Sequence, residues 1–249
     1  MSETILENSR FYQVEGATTG VILFHAYTGS PNDFLSTGRF LQRAGIEVLC
    51  PTFKGHGTDD IYDILEAHPD QWWEQAQAAL HYMQGRQYER LFVFGLSLGG
   101  IFATRLLAEN HQANLAGGVF NSPVFTAQQI DVGYFFEQYA RHLYEKQNRL
   151  DEYQVEKDRI MSLYREQIES ISYFAMSFYM ELSQITSRFY LAQSGEDEMI
   201  DPEDAYLVRD ALTGAKEVDF QWFEHNTHVI TTNRERSAFE KSLLAFIQR

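Results

Sequence analysis

Short apolar runs rich in β-forming residues alternate along this chain with longer stretches whose apolar residues recur at helical spacing. Val21–Phe24, Glu47–Cys50, Leu91–Phe94, Gly118–Phe120, Arg188–Ala192 and Val218–Phe223 read as strands, with a weaker candidate at Phe11–Val14. Between them, Asn32–Ala44, Asp70–Gln84, Gly99–Asn110, Pro202–Leu212 and Glu235–Ile247 read as helices. Strands that alternate with helices predict a mostly parallel sheet covered on both faces, a doubly wound α/β architecture.

One stretch breaks the alternation. From about Ala127 to Ile185 no strand is legible, only two long helical patterns. The first is heavily charged, from Glu137 through Arg141 and Arg149 to Glu152; the second spaces Ile168, Ile171, Ala175, Phe178 and Leu182 helically. The expected organisation is a core of residues 1–126 and 186–249, with residues 127–185 inserted as a helical cap.

Composition narrows the function classes. Hydrophobic residues make up 44% of the 249, enough for a sizeable core, so global disorder is not expected. A formal net charge of −15 repels phosphate backbones and anionic headgroups, which disfavours a nucleic-acid or membrane-surface role. The first ten residues, MSETILENSR, lack a basic and an apolar leader region, and no apolar run approaches a membrane span, so a cytoplasmic location is expected. Cys50, the single cysteine, reads as a small buried residue. The eight histidines show no metal-ligand spacing and no phosphate-binding glycine motif occurs, so neither metal nor cofactor is expected.

The strongest chemical signal is Gly95-Leu96-Ser97-Leu98-Gly99, which follows an apolar strand and opens a helix. That context suits a nucleophile elbow, where small flanking residues let a tight turn hold the serine above the sheet. Gly100 then lets the helix approach the neighbouring strand closely. Serine is a weak nucleophile on its own, so an acid and a histidine base should follow in later strand-end loops. After Arg188–Ala192 come four carboxylates: Glu196, Asp197, Glu198 and Asp201. Asp201 before Pro202 reads as a helix N-cap, leaving Asp197 nearer the strand end, with Glu196 and Glu198 pointing elsewhere. After Val218–Phe223 either His225 or His228 could serve as base, with spacing favouring His228. Backbone N–H groups of Leu98 and Tyr27 are the candidate oxyanion-hole donors, and as backbone groups they leave the side chains at both positions free to vary. Gly55-His56-Gly57 reads as a turn with a structural histidine, His25 as a local backbone partner, and Trp72-Trp73 as helix-to-sheet packing.

Taken together, His25–Gly29, Lys54-Gly55-His56-Gly57, Trp72-Trp73, Gly-Leu-Ser-Leu-Gly-Gly at 95–100, Asp-Glu-Met-Ile at 197–200 and His-Val-Ile-Thr at 228–231 carry a resemblance over most of the chain. The chain resembles bacterial carboxylesterases of the α/β-hydrolase superfamily, in the small thermostable carboxylesterase and monoacylglycerol-lipase-like group. The resemblance implies an α/β-hydrolase fold with a helical cap, the triad Ser97, Asp197 and His228, and oxyanion donors on Tyr27 and Leu98. It implies hydrolysis of a small-molecule ester through an acyl-enzyme. Thioesterase, amidase and acyltransferase chemistry would use the same triad; a non-catalytic binding protein would have lost part of it. Tyr134, Phe135, Phe174, Met176 and Phe178 are candidates for an apolar acyl pocket, with cap-to-core packing as their other role. Two departures stand out: Ala26 and Thr227 occupy positions where the family usually has glycine.

Overall fold

A computed structural model describes residues 8–125, 130 and 132–249. Among these residues seven strands form one sheet in the order β1-β3-β2-β4-β5-β6-β7. They are β1 (Arg10–Tyr12), β2 (Thr19–Phe24), β3 (Glu47–Cys50), β4 (Arg90–Leu96), β5 (Leu115–Phe120), β6 (Arg188–Ser194) and β7 (Glu217–Phe223). Only the edge strand β1 runs antiparallel, pairing Phe11 with Leu49; every other neighbour pair is parallel. Each predicted strand is present, and several extend past their apolar centre because polar end residues still join the ladder, as Thr19 does opposite Arg90.

Alternation along the strands divides the core into two layers. Ile22, Leu49, Val93, Val119 and Leu191 face one side, where they meet α2 (Ile61–Leu65), α3 (Pro69–Gln84) and α4 (Leu98–Glu109). Val21, Val48, Phe94, Phe120 and Tyr190 face the other, against α1 (Leu35–Arg43) and α8 (Arg236–Gln248). Trp72 and Trp73 are buried in the first layer, Cys50 in the second. Burial pushes the Cys50 thiol pKa well up, which suits packing and not reactivity.

Between β5 and β6 the chain leaves the sheet for α5 (Gly133–Lys146) and α6 (Leu150–Ser177), then a 3-10 turn at Tyr179–Gln184. The charged pattern expected as one helix is thus split. The break falls at Asn148, whose φ of 58° ends α5, and asparagine tolerates that left-handed backbone. The expected core–cap boundary at 126/127 lies outside the described residues, as does most of the N-terminal segment MSETILENSR. Among the described residues no helix is long and apolar enough to cross a membrane.

The helix after β6, α7 (Asp204–Ala211), begins two residues later than its proline suggests. Asp201 is not its N-cap; the Asp201 carboxylate instead accepts from Glu203 N–H at 3.0 Å in the turn before it. All parallel strands present their C-terminal ends at one edge. The loops after β2, β4, β6 and β7 meet there, where α/β sheets place their chemistry.

Candidate active site

Ser97 sits where β4 turns into α4, with φ 51° and ψ −119°. A non-glycine residue rarely adopts this backbone; such strain costs about 1–3 kcal/mol and persists only where the surroundings impose it. Those surroundings are visible. A Cβ on Gly95 would strike the backbone of Gly99, and one on Gly99 would strike the Phe24 carbonyl at the end of β2. The elbow is further fixed by Ser97 N–H donating to Phe120 O at 2.9 Å and Ser122 Oγ donating to Ser97 O at 2.7 Å. Leu98 is the first helical residue, so its N–H belongs to the initial turn, which has no intrahelical acceptors. The positive end of the helix dipole therefore adjoins the serine.

The loops after β6 and β7 bring Asp197 and His228 together. His228 Nδ1 lies 2.9 Å from both oxygens of the Asp197 carboxylate, and the two side chains are 3% and 0% exposed. The carboxylate also accepts from Met199 N–H at 3.0 Å, Ile200 N–H at 3.1 Å and Gln193 Nε2 at 3.3 Å. An acceptor-only carboxylate requires the proton on Nδ1, which leaves the Nε2 lone pair of the neutral ring available. His225 is different: it is exposed and lies 3.5 Å from the exposed Glu196.

Two residues given no role in the site by sequence hold the His228 backbone. Glu198 does not point away; its carboxylate accepts from His228 N–H at 2.8 Å. Asn121, fully buried at the end of β5 with φ 44°, donates from Nδ2 to His228 O at 2.6 Å and to Ser194 Oγ at 2.8 Å. Its Oδ1 accepts from Ser194 N–H at 2.8 Å. Consecutive residues Asn121 and Ser122 thus grip the backbones of His228 and Ser97 respectively. Ser97 Oγ and His228 Nε2 themselves share no hydrogen bond, a contact that in many hydrolases tightens only with substrate bound.

The loop after β2 is held from several sides. Gly29 N–H donates to Ala26 O at 3.0 Å, closing a turn with Tyr27 and Thr28 at its centre and leaving Tyr27 N–H outside that bond. His25 is buried, its Nδ1 2.8 Å from Ala26 O while Nε2 accepts from Phe53 N–H at 3.1 Å. Burial lowers the His25 pKa to about 4, so the ring bridges the two segments as a neutral imidazole. Neither Ala26 nor Thr227 has positive φ, so neither position demands glycine here.

Asp33 closes the same loop, accepting from Ala26 N–H at 3.1 Å and Ser30 N–H at 3.4 Å. Burial raises its pKa from 3.8 to about 6, against the opposing pull of those two bonds. Because the folded value lies above the ordinary one, stability tied to Asp33 is fully present below about pH 4 and lost as pH rises through about 6. Asp33→Asn is therefore expected to show a smaller fall in Tm between pH 4 and 7 than the parent. Identical pH dependence in differential scanning calorimetry would contradict this.

The apolar-pocket candidates separate by position. Phe174 and Phe178 are buried, with the Arg105 guanidinium 4.7 and 6.0 Å from their ring centroids. Tyr134 and Met176 are 71% and 72% exposed, and Phe135 is half-buried, edge-on to Tyr134. A groove of about 670 Å³ between α5 and α6 takes in Tyr134, Met161, Tyr164 and Ile168, without Ser97 or His228. One insertion residue that faces the β2 loop is Phe136, stacked on Tyr27 at 5.7 Å and on Tyr164 at 4.6 Å. The side chain at position 27 is therefore not free to vary: its hydroxyl also donates to Gln167 Oε1 on α6 at 2.5 Å. Gln167 had a legible signal, a polar residue within the apolar stripe Tyr164, Ile168 and Ile171. His56 is buried in its glycine-flanked turn, and the Trp72 indole donates to Lys54 O at 2.9 Å.

Comparison with known proteins adds a family. The Hydrolase_4 model, whose description is "Serine aminopeptidase, S33", matches residues 17–235. A carboxylesterase of Bacillus subtilis (strain 168) is 23% identical over 241 residues, 96% of each chain. A thermostable monoacylglycerol lipase of Bacillus sp. (strain H-257) is 31% identical over 107 residues, 43% of this chain and 42% of that one. Among solved structures, one from a report on the metagenome-derived lipolytic enzymes LipS and LipT superposes with a TM-score of 0.75, at 18% identity and 97% coverage of both chains. The monoacylglycerol lipase of Paleococcus ferrophilus gives 0.68 at 14% identity, covering 96% of this chain and 97% of that one. Likeness at such identity shows the α/β-hydrolase fold.

Proposed function

Because this chain belongs to the Hydrolase_4 family of α/β hydrolases, we propose that it is a serine carboxylesterase acting on short- to medium-chain esters, monoacylglycerols among them. One observation carries the reading: a buried Asp197–His228 pair shares the strand-end edge with a serine held in a strained elbow. The carboxylesterase relative that spans the chain supports an ester over an amide substrate.

In the proposed reaction Ser97 Oγ attacks the ester carbonyl while His228 Nε2 takes its proton. Asp197 fixes the ring through Nδ1–H and stabilises the imidazolium that forms. The oxyanion is met by the N–H groups of Leu98 and Tyr27, donors worth about 10²–10³ each in rate. Collapse of the tetrahedral intermediate breaks the C–O bond, and His228 returns the proton to the departing alcohol. Water, deprotonated by His228, then cleaves the acyl-enzyme and frees Ser97. Residues 127–185 serve as the cap over this edge, and the acyl chain lies beneath it.

The test is a p-nitrophenyl ester panel running from acetate through butyrate and octanoate to palmitate, beside an amino-acid p-nitroanilide and an acyl thioester. Preferred turnover of the acetate-to-octanoate members is expected. Inertness toward all the esters, or faster cleavage of the anilide or thioester, would overturn the reading.

A further inference from the structure

Gln167 is a polar side chain only 5% exposed, placed by the long helix α6 among core residues. Its Nε2 donates to Ile64 O at 2.5 Å and Ala67 O at 2.8 Å, carbonyls at the end of α2 and in the turn beyond it. Two carbonyls can be satisfied only by the NH₂ group, so the orientation of the amide is fixed. Oε1 is thereby aimed at the Tyr27 hydroxyl, which must be the donor in their 2.5 Å bond. The Tyr27 ring is held as well, stacked on Phe136 of α5. One residue, Tyr27, therefore offers its backbone N–H at the strand-end edge while both helices of the insertion hold its side chain.

We propose that Gln167 and Tyr27 form a clamp that sets the oxyanion geometry from the cap, making Gln167 a positioning residue for ester hydrolysis. The inference rests on the esterase reading above. Its physical basis is reach: the Tyr27 N–H and hydroxyl belong to one rigid aromatic residue in a short turn. A shift of the phenol is carried to the N–H, and a misplacement of about 1 Å can cost ~10² in rate. The hydrogen-bonded amide also ties the cap to the core at this point, so the cap cannot swing away as a free lid without breaking three bonds.

The clamp predicts which kinetic constant moves. Tyr27→Phe removes one hydroxyl and keeps the ring, the stacking and the N–H. It is expected to lower kcat for p-nitrophenyl butyrate about 10-fold with KM within about two-fold, the split that marks an interaction made in the transition state. A trifluoromethyl ketone provides the second readout. Ser97 Oγ adds to its carbonyl carbon, the proton passes to His228, and the oxygen becomes an oxyanion mimic. Its inhibition constant should rise in step with the fall in kcat/KM. Gln167→Glu, which keeps the acceptor but loses the donors to Ile64 O and Ala67 O, should give the same pattern more strongly.

Unchanged kcat and ketone affinity in Tyr27→Phe, with an active parent, would overturn the clamp while leaving the esterase reading intact. A lowered Tm and raised KM without matching loss of ketone affinity would overturn it too, showing a structural bond only. A parent inert on every ester removes both. Should Gln167→Glu fail to fold, Tyr27→Phe alone still decides.

Discussion

Ser97→Ala is expected to lower kcat/KM for p-nitrophenyl butyrate by about 10⁴–10⁶ while leaving the fold intact, measured by steady-state kinetics with circular dichroism as the fold control. The size follows from the chemistry: without Oγ no acyl-enzyme forms, and only water activated in the remaining site can act. Stability should hardly change, because alanine at φ 51° is as strained as serine. Glycine relieves that strain, so Ser97→Gly should be equally inactive yet melt higher. Retention of substantial activity in Ser97→Ala would move the nucleophile elsewhere and sink the proposed mechanism.

The second large effect separates the two histidines. His228→Ala is expected to cost about 10⁴ or more in kcat, because the base and the acid for the leaving alcohol are lost together. His225→Ala, which removes an exposed ring facing Glu196, should change kcat less than about two-fold, as surface substitutions away from a site usually do. Equal losses in both variants, or a larger one at His225, would reverse the assignment of the base.

Much of this was legible in the sequence because the relevant signals are local. The apolar runs fix strands whatever their neighbours, and Gly95-Leu96-Ser97-Leu98-Gly99 contains within itself the small residues that the elbow needs. Local signals failed where the deciding partner lies far along the chain. Glu198 accepts a hydrogen bond from a residue thirty positions later, and nothing near it in sequence announces that. Asn121 looks like an ordinary strand-end asparagine until β6 and the His228 loop close upon it. Asp201 carried a strong cap signal, yet an intervening turn took its carboxylate and α7 began afterwards. Tyr27 was read through its backbone alone, since no local pattern ties it to a helix 140 residues away.

The pairing of Asn121 with His228 and of Ser122 with Ser97 has a consequence for how this architecture diversifies. Both grips come from residues that precede α5 and α6, so these holds on Ser97 and His228 are made upstream of the insertion. Helices of other lengths and sequences could be grafted after that seam without removing either grip. What a graft would forfeit is the lock on Tyr27, supplied by Gln167 from inside the exchanged segment. A variant that trades this insertion for another would keep the Asn121 and Ser122 grips and would need a new hold on the Tyr27 side chain.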